Sequence, residues 1–567
     1  MRPSAVTRTR SLISVTCCKR DRAADGRHNA GALPMQTRRS AHCARHAMNH
    51  PIPSPAPRRA PTPRGARRVV IVGGGFTGAS AAIQLVRGST LPLSVTIIDP
   101  AERAGRGLAY QALDPDHRLN APSFVHSLIP DDTWHFSRWC LGEGLPERDP
   151  AALSPDGSLY LRRADFGRYI EQTLQAHASW PGTGSTIDHV RDHAVDLSPP
   201  SQPLAVSTAG GHRLPADLVF VATGNPLPRL PRPFDPAWAA HPAVIENPLD
   251  TPRLYAIAPQ ARVLLVGSGL TALDVLSTLV RRQHSGEILV VSRHGLRPRP
   301  QGPLPEALTQ ATSLQALALL PGGALLDRIA GPPPVFLSAD DVPRTALRWL
   351  RALRAEIARI EAGGGLWYQP FDDLRDAVWQ LWPTLPAPEK RRFQRRLRTW
   401  YDVHRYRSPP QNQGIVDAAL AEGRIRFVAA RLQSASAVAE DRGIAVAWRQ
   451  PGESAARQQV FDTVINCTGL DALAGLSSNP FLVSAIQRGW LRRDACAMGL
   501  EVDARCCAVG ADGTVRPTLR LVGPPTVGTF GDPIGAMFIA AQIHRLLPDA
   551  LHTLAGAGPA DVTDVRQ

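Results

Sequence analysis

The sequence predicts an α/β fold: a pair of Rossmann-like, dinucleotide-binding domains with a helical insertion. Three observations carry this reading. Two strand–glycine turn–helix units lie about 190 residues apart. Each is followed by a further strand, as a βαβ unit requires. Residues 301–410, between the second unit and the C-terminal strands, read as helical and hold Trp349, Trp367, Trp379, Trp382 and Trp400.

The first unit is Arg68-Val-Val-Ile-Val-Gly73-Gly-Gly75-Phe-Thr-Gly78, followed by an Ala-rich helix. Its β-branched run reads as a buried parallel strand. Gly73 permits the tight turn, Gly75 lets backbone approach a pyrophosphate, and Gly78 lets the helix pack on the strand. The helix N-terminus offers free N–H groups to phosphate. The next strand, Ser94–Asp99, ends in an acid placed for ribose hydroxyls.

The second unit, Arg262-Val-Leu-Leu-Val-Gly267-Ser-Gly269-Leu-Thr-Ala272, repeats the pattern with Ala in the third glycine position. Its next strand ends in Ser292-Arg293 rather than an acid. An arginine there accommodates a 2′-phosphate, although a solvated surface charge fits it as well, so the donor is left as NAD(P)H. One unit suggests any nucleotide binder; two suggest FAD with a nicotinamide donor.

Two further strands end in Thr-Gly, at Thr223-Gly224 and Thr468-Gly469. Such segments suit the links between FAD and nicotinamide domains, where glycine allows close backbone approach. Near the C-terminus, Gly531-Asp532-Pro533 leads into a helix. Two compatible roles fit Asp532: facing the flavin, or capping the helix with Pro533 as its first residue. Arg405 and Arg407, just before Pro409, suit either an anion clamp or a charged helix end.

The domain expectation follows. Residues 1–66 form a basic leader or an over-called start, the latter favoured, and should be disordered. Residues 67–255 and 460–550 form the FAD domain, and 256–300 with 411–459 the NAD(P) region. Residues 301–410 form a substrate-facing helical insertion, and 551–567 a flexible tail.

Charge argues against a nucleic-acid role for the body of the chain. The chain of 567 residues carries +15, but residues 1–68 hold 15 basic groups against Asp21 and Asp25. The remainder carries 49 basic and 47 acidic groups, too balanced to track a phosphate backbone. The longest apolar run, Val263–Val280, is punctuated by Gly267, Gly269 and Asp274, so no membrane segment is expected. None of the eight cysteines forms a C-x-x-C pair. That argues against a disulfide reductase or a zinc ribbon, predicts no metal site, and fits a reducing cytoplasm.

Gly105-Arg-Gly107-Leu-Ala-Tyr110, His117-Arg-Leu-Asn120-Ala-Pro122 and Arg162-Arg163-Ala-Asp-Phe-Gly167-Arg-Tyr169 add a resemblance. Over roughly residues 66–550 the chain resembles the bacterial FAD/NAD(P)-binding flavin monooxygenases that include a FAD-dependent urate hydroxylase and an L-aspartate N-monooxygenase. The resemblance implies FAD-binding roles for Gly73, Gly75, Gly78, Asp99, Asn120 and Arg163, and nicotinamide roles for Gly267, Gly269 and Ala272. It implies monooxygenation with NAD(P)H and O2, urate being the favoured substrate and 5-hydroxyisourate its product. N-hydroxylation of an amino acid or amine is the alternative, and a flavin-binding protein without oxygenase activity the third reading. No catalytic residue or substrate ligand is identified, and oligomeric state is not legible.

Overall fold

The structure is a computed structural model. It describes residues 65–225, 228–303, 313–338, 344–438, 442–469 and 476–556. The expected leader, apart from its last residues, and most of the expected tail lie outside the described residues, as do Cys17, Cys18 and Cys43.

In chain order the elements that build the first half are β1 (Arg67–Val72), α1 (Phe76–Gly88), β2 (Leu93–Ile98), α2 (Arg163–Ala176), β3 (Ser179–Trp180), β4 (Ser185–Val190) and β5 (Leu218–Val221). The second half holds β6 (Val244–Ile245), β7 (Val263–Val266), α3 (Leu270–Arg281) and β8 (Ile288–Ser292). A helical stretch follows, with α4 (Ala346–Ala362), α5 (Gln369–Leu381), α6 (Arg398–Arg405) and α7 (Pro410–Ala421). Then come β9 (Ile425–Ala429), β10 (Thr463–Asn466), β11 (Cys507–Val509), β12 (Val515–Leu521) and α8 (Ala536–Ala555).

The first sheet has the order β11-β12-β5-β1-β2-β4-β3, and the second β9-β8-β7-β10-β6. Both cores are parallel: β1 lies between β2 and β5, and β7 between β8 and β10. Strands buried on both faces explain the unbroken apolar runs of β1 and β7. Two three-stranded antiparallel sheets flank them, one from Ala194–Leu197, Ala205–Thr208 and Arg213–Pro215, the other from Arg431–Ala437, Ile444–Arg449 and Arg457–Phe461.

The two halves repeat one another in detail. At the foot of β1, the backbone N–H and guanidinium of Arg68 both donate to Asp217, at 2.7 and 2.9 Å. At the foot of β7, the backbone N–H of Arg262 donates to Asp462 at 2.7 Å and its guanidinium at 3.5 Å. Each aspartate begins the strand that ends in Thr-Gly.

Strand pairing places two expected boundaries, at 255 and at 460, differently. Strand β10 pairs with β7, Val263 opposite Thr463 through Val266 opposite Asn466, so residues around 460–469 belong to the second half. Strand β6 pairs with β10 and belongs there too. The strand's own sequence carries no label for its sheet; only its partner does.

The described parts of residues 313–409 are largely helical, as expected from pattern; Trp382 packs a core, whereas Trp400 stands exposed. Trp382 and Leu385 form a small core with Met498 and Val527, against which Trp349 and Phe393 pack. Among the described residues no helix is long and apolar enough to cross a membrane.

Candidate dinucleotide-binding sites

The first glycine turn is fixed by steric contacts that only glycine permits. Gly73 has φ +106°, and a Cβ there would stand 2.3 Å from the Ala222 carbonyl oxygen at the end of β5. A Cβ on Gly78 would stand 1.9 Å from the Gly73 carbonyl oxygen. Gly75 is the residue before α1, which has no side-chain cap, so its first N–H groups are open to a ligand.

A second glycine loop closes on the first. Gly105 N–H donates to the Gly74 carbonyl at 2.6 Å. A Cβ on Gly107 would lie 2.9 Å from the Gly75 Cα. The G-x-G-x-A-Y segment quoted from the sequence therefore acts as the lid of the fingerprint turn.

Asp99 stands at the end of β2. Its carboxylate accepts from Gly74 N–H at 2.7 Å and from Ala101 N–H at 2.9 Å. A cleft of about 670 Å³ opens beside it, lined among others by Asp99, Ala101, Arg103, Arg106, Gly107 and Gln111. The remaining site residues vary in their engagement. The Thr223 hydroxyl is buried and lacks a hydrogen-bond partner, while Gly224 has φ +66°. Asn120 is half-buried at the surface of this half. These features fit a bound dinucleotide: a phosphate-ready turn, an orphaned hydroxyl beside it, and an open cleft next to Asp99.

The second site repeats the geometry. Gly267 has φ +105°, and a Cβ would lie 2.2 Å from the Cys467 carbonyl oxygen. Gly269 precedes α3, again with no side-chain cap and open space around its Cα. Ala272 is fully buried, and its N–H donates to the Gly269 carbonyl at 3.0 Å. The Nδ2 of Asn466, beside this turn at the end of β10, is buried without a partner. At the end of β8 the Ser292 hydroxyl accepts from Ser268 at 2.9 Å and from Gly295 N–H at 3.0 Å. Arg293 next to it is exposed.

Five residues named from the sequence meet partners within the chain. Arg163, given a cofactor role by resemblance, begins α2, and its guanidinium meets Asp274 of α3 at 2.6 Å. Gly531, with φ +83°, packs its bare Cα face on Trp382; a Cβ would come within 2.8 Å of that ring. Asp532 does not cap the last helix. That helix begins at Ala536 behind Gly535. Asp532 instead accepts from Arg405 Nε at 3.0 Å and from the Tyr406 hydroxyl at 2.7 Å. Arg405 is thus no anion clamp, and Arg407 is likewise engaged, its Nη2 donating to both oxygens of Asp372 at 2.8 and 2.9 Å. Neither is a merely solvated helix end, since both are buried.

Sequence reading passed over Gly523. It follows β12 with φ +73°, its N–H donates to Gln542 Oε1 at 2.8 Å, and a Cβ would stand 3.1 Å from the Thr77 hydroxyl at the start of α1. The late glycine beside the first turn is therefore Gly523. The motif of glycine followed by an acid pointed to Gly531, because Gly523 is followed by proline.

A family model described as FAD-NAD(P)-binding matches residues 70–226. No curated protein matches the chain in sequence. Solved structures share the architecture. The ornithine N-hydroxylase of Kutzneria sp. 744 is 15% identical, with TM-score 0.55 over 86% of this chain and 99% of that one. The L-lysine 6-monooxygenase of Pseudomonas syringae is 16% identical, with TM-score 0.52 over 86% and 99%. The FAD-bound cadaverine monooxygenase of Erwinia amylovora is 12% identical, with TM-score 0.55 over 88% and 97%. The fold is that of a two-dinucleotide-binding flavoprotein with a helical insertion. Its cofactors are FAD and a nicotinamide dinucleotide.

Proposed function

We propose that this protein is a flavin monooxygenase that hydroxylates a primary amine nitrogen of an amino acid or diamine, using NADPH and O2. The observation that carries the reading is the extent of the structural likeness. Enzymes acting on ornithine, lysine and cadaverine each match over nearly their full length. Urate hydroxylation rests on the sequence resemblance alone, while the three enzymes above act on amines.

The reaction balances as R–NH2 + O2 + NADPH + H+ giving R–NHOH + H2O + NADP+. Bound FAD would supply the electron transfer and oxygen activation. The chain's own groups bind and orient. The open N–H groups before α1, with Gly73, Gly75 and Gly78, would hold the FAD pyrophosphate, Asp99 the ribose, and Asn120, Thr223 and Gly224 the neighbouring groups. The N-terminus of α3, with Gly267, Gly269 and Ala272, would hold the donor, and Arg293 its 2′-phosphate. The helical stretch would shield the reacting centre from water.

The test is donor oxidation by the purified flavoprotein with ornithine, lysine, cadaverine, aspartate and urate in turn. The reading expects one amine to accelerate NADPH oxidation and yield a hydroxylamine. If urate alone is consumed, or if no amine yields product, the reading is wrong.

A further inference from the structure

We propose that Arg163 and Asp274 are a positioning pair that holds the donor helix α3 at a fixed distance from the first site. The proposal rests on the reading that α3 carries the nicotinamide donor.

Helix α3 is fastened along one face. Asp274 meets Arg163 at 2.6 Å, with side-chain exposures of 5% and 19%. Four residues on, Thr278 approaches His117 Nε2 at 3.4 Å. Three further on, Arg281 donates to Asp114 at 2.8 Å and also pairs with Asp116. Positions 274, 278 and 281 share a helix face by their spacing. Their first-half partners come from one short segment, 114–118, together with the start of α2; Arg281 also reaches the Tyr255 hydroxyl at 3.3 Å, and Asn412 Nδ2 lies 3.5 Å from Asp274. The same segment is held by α7, whose Asn412 donates to the Asp116 carbonyl at 2.8 Å.

On the other side, α2 is packed against the first glycine turn. Phe166 stacks on Phe76 with ring centroids 5.8 Å apart. A Cβ on Gly167 would stand 2.3 Å from the Tyr110 carbonyl oxygen, so α2 lies directly on the lid loop. Arg163 is anchored here, its N–H donating to the His117 carbonyl at 2.8 Å and its Nε to the Arg118 carbonyl at 3.2 Å. A rigid path therefore runs from Gly75 through Phe76, Phe166 and Arg163 to Asp274, five residues from Gly269. Hydride transfer depends steeply on the separation of donor and acceptor, and displacement by about 1 Å can cost about 100-fold. The buried pair fixes that separation.

The test uses the FAD-loaded full chain and the variants Arg163→Gln, Asp274→Asn and the exchange Arg163→Asp with Asp274→Arg. Stopped-flow absorbance reads flavin reduction by NADPH, and separately reoxidation by O2. The expected result is flavin reduction slowed about 10- to 100-fold in each single variant, with FAD content and reoxidation unchanged and partial recovery in the exchange. Loss of FAD from Arg163→Gln would overturn the proposal and return Arg163 to the cofactor role the sequence resemblance implied. Unchanged flavin reduction would also overturn it. Should the buried variants fail to fold, Arg281→Gln loosens the same face from its solvent side. It should slow reduction several-fold, and an unaltered rate sinks the proposal. Failure of wild type to oxidise NADPH at all would instead refute the underlying functional reading.

Discussion

Arg405 donates its Nε–H to Asp532 at 3.0 Å, with both side chains at least nine-tenths buried. This pair, 127 residues apart in sequence, joins the end of the helical stretch to the segment that leads into α8. Tyr406 supplies a second donor to the same carboxylate. Removing one partner of such a pair leaves an uncompensated buried charge, which costs about 3–5 kcal/mol. Asp532→Asn should therefore lower stability to denaturant by roughly 3 kcal/mol. Arg405→Met with Asp532→Leu, which buries no charge, should lose less than either single change. Urea unfolding followed by tryptophan fluorescence reads both.

The two glycine turns should separate genetically. Gly73→Ala places a methyl 2.3 Å from a backbone oxygen at φ +106°, and Gly267→Ala does the same at 2.2 Å and φ +105°. Each oxygen belongs to a residue whose own N–H is bonded to the neighbouring strand, Ala222 to Val72 and Cys467 to Val266, so the backbone there has little room to shift. Gly73→Ala should purify without flavin. Gly267→Ala should purify yellow, with NADPH-dependent flavin reduction slowed at least 100-fold. Absorbance at 450 nm and single-turnover reduction distinguish them. Equal flavin content in both variants would contradict the assignment of the two sites.

These turns were legible in the sequence because their geometry is local: strand, glycines and helix lie within a dozen residues. Asp532, Arg405 and Arg407 were not. Their residue types suggested ligand binding or capping, and only the fold reveals that each meets a partner from a distant segment. Strand β10 shows the same limit, since its apolar run is shared by both sheets and only pairing with β7 assigns it. Gly523 escaped notice because the acid that usually flags such a glycine is replaced by Pro524. The substrate face stayed illegible for a related reason. The tryptophans of residues 313–409 look alike in sequence, whether they pack a core, as Trp382 does, or stand exposed, as Trp400 does.

Donor preference should rest on Arg293. Its side chain is exposed at the end of β8, while its neighbour Ser292 is tied back to Ser268. A charge-assisted contact to a 2′-phosphate contributes about 1.5–3 kcal/mol, or about 10- to 100-fold in affinity. Arg293→Gln should raise KM for NADPH by that factor and leave KM for NADH nearly unchanged. Steady-state oxidation with each donor gives the ratio. An equal rise for both would mean that Arg293 does not read the phosphate.

Acid should destabilise the protein through its buried histidines, and His126 isolates the effect. Its ring is 6% exposed, lies edge-on to Phe166, and donates from Nδ1 to the Pro122 carbonyl at 3.0 Å. Burial lowers its pKa from 6.5 to about 4, with the Arg163 charge acting in the same direction. His117 and His135 are lowered similarly by burial. A group whose folded pKa is depressed binds fewer protons when folded, so its contribution is complete above about pH 6.5 and is lost as pH falls toward 4. For His126 that amounts to roughly 3 kcal/mol over the full interval, at about 1.4 kcal/mol per pH unit. Asp274 acts oppositely: burial raises its carboxyl to about 7, so between about pH 4 and 7 the folded state holds the extra proton and gains stability as pH falls. The wild-type slope is therefore a difference of opposed contributions, and a single curve would not reveal His126. His126→Asn keeps an N–H near Pro122 and removes the titration. Between pH 7 and pH 5 the variant should lose roughly 2 kcal/mol less than wild type in urea unfolding. Parallel losses would mean that His126 already carries its proton, or has access to water, in the folded state.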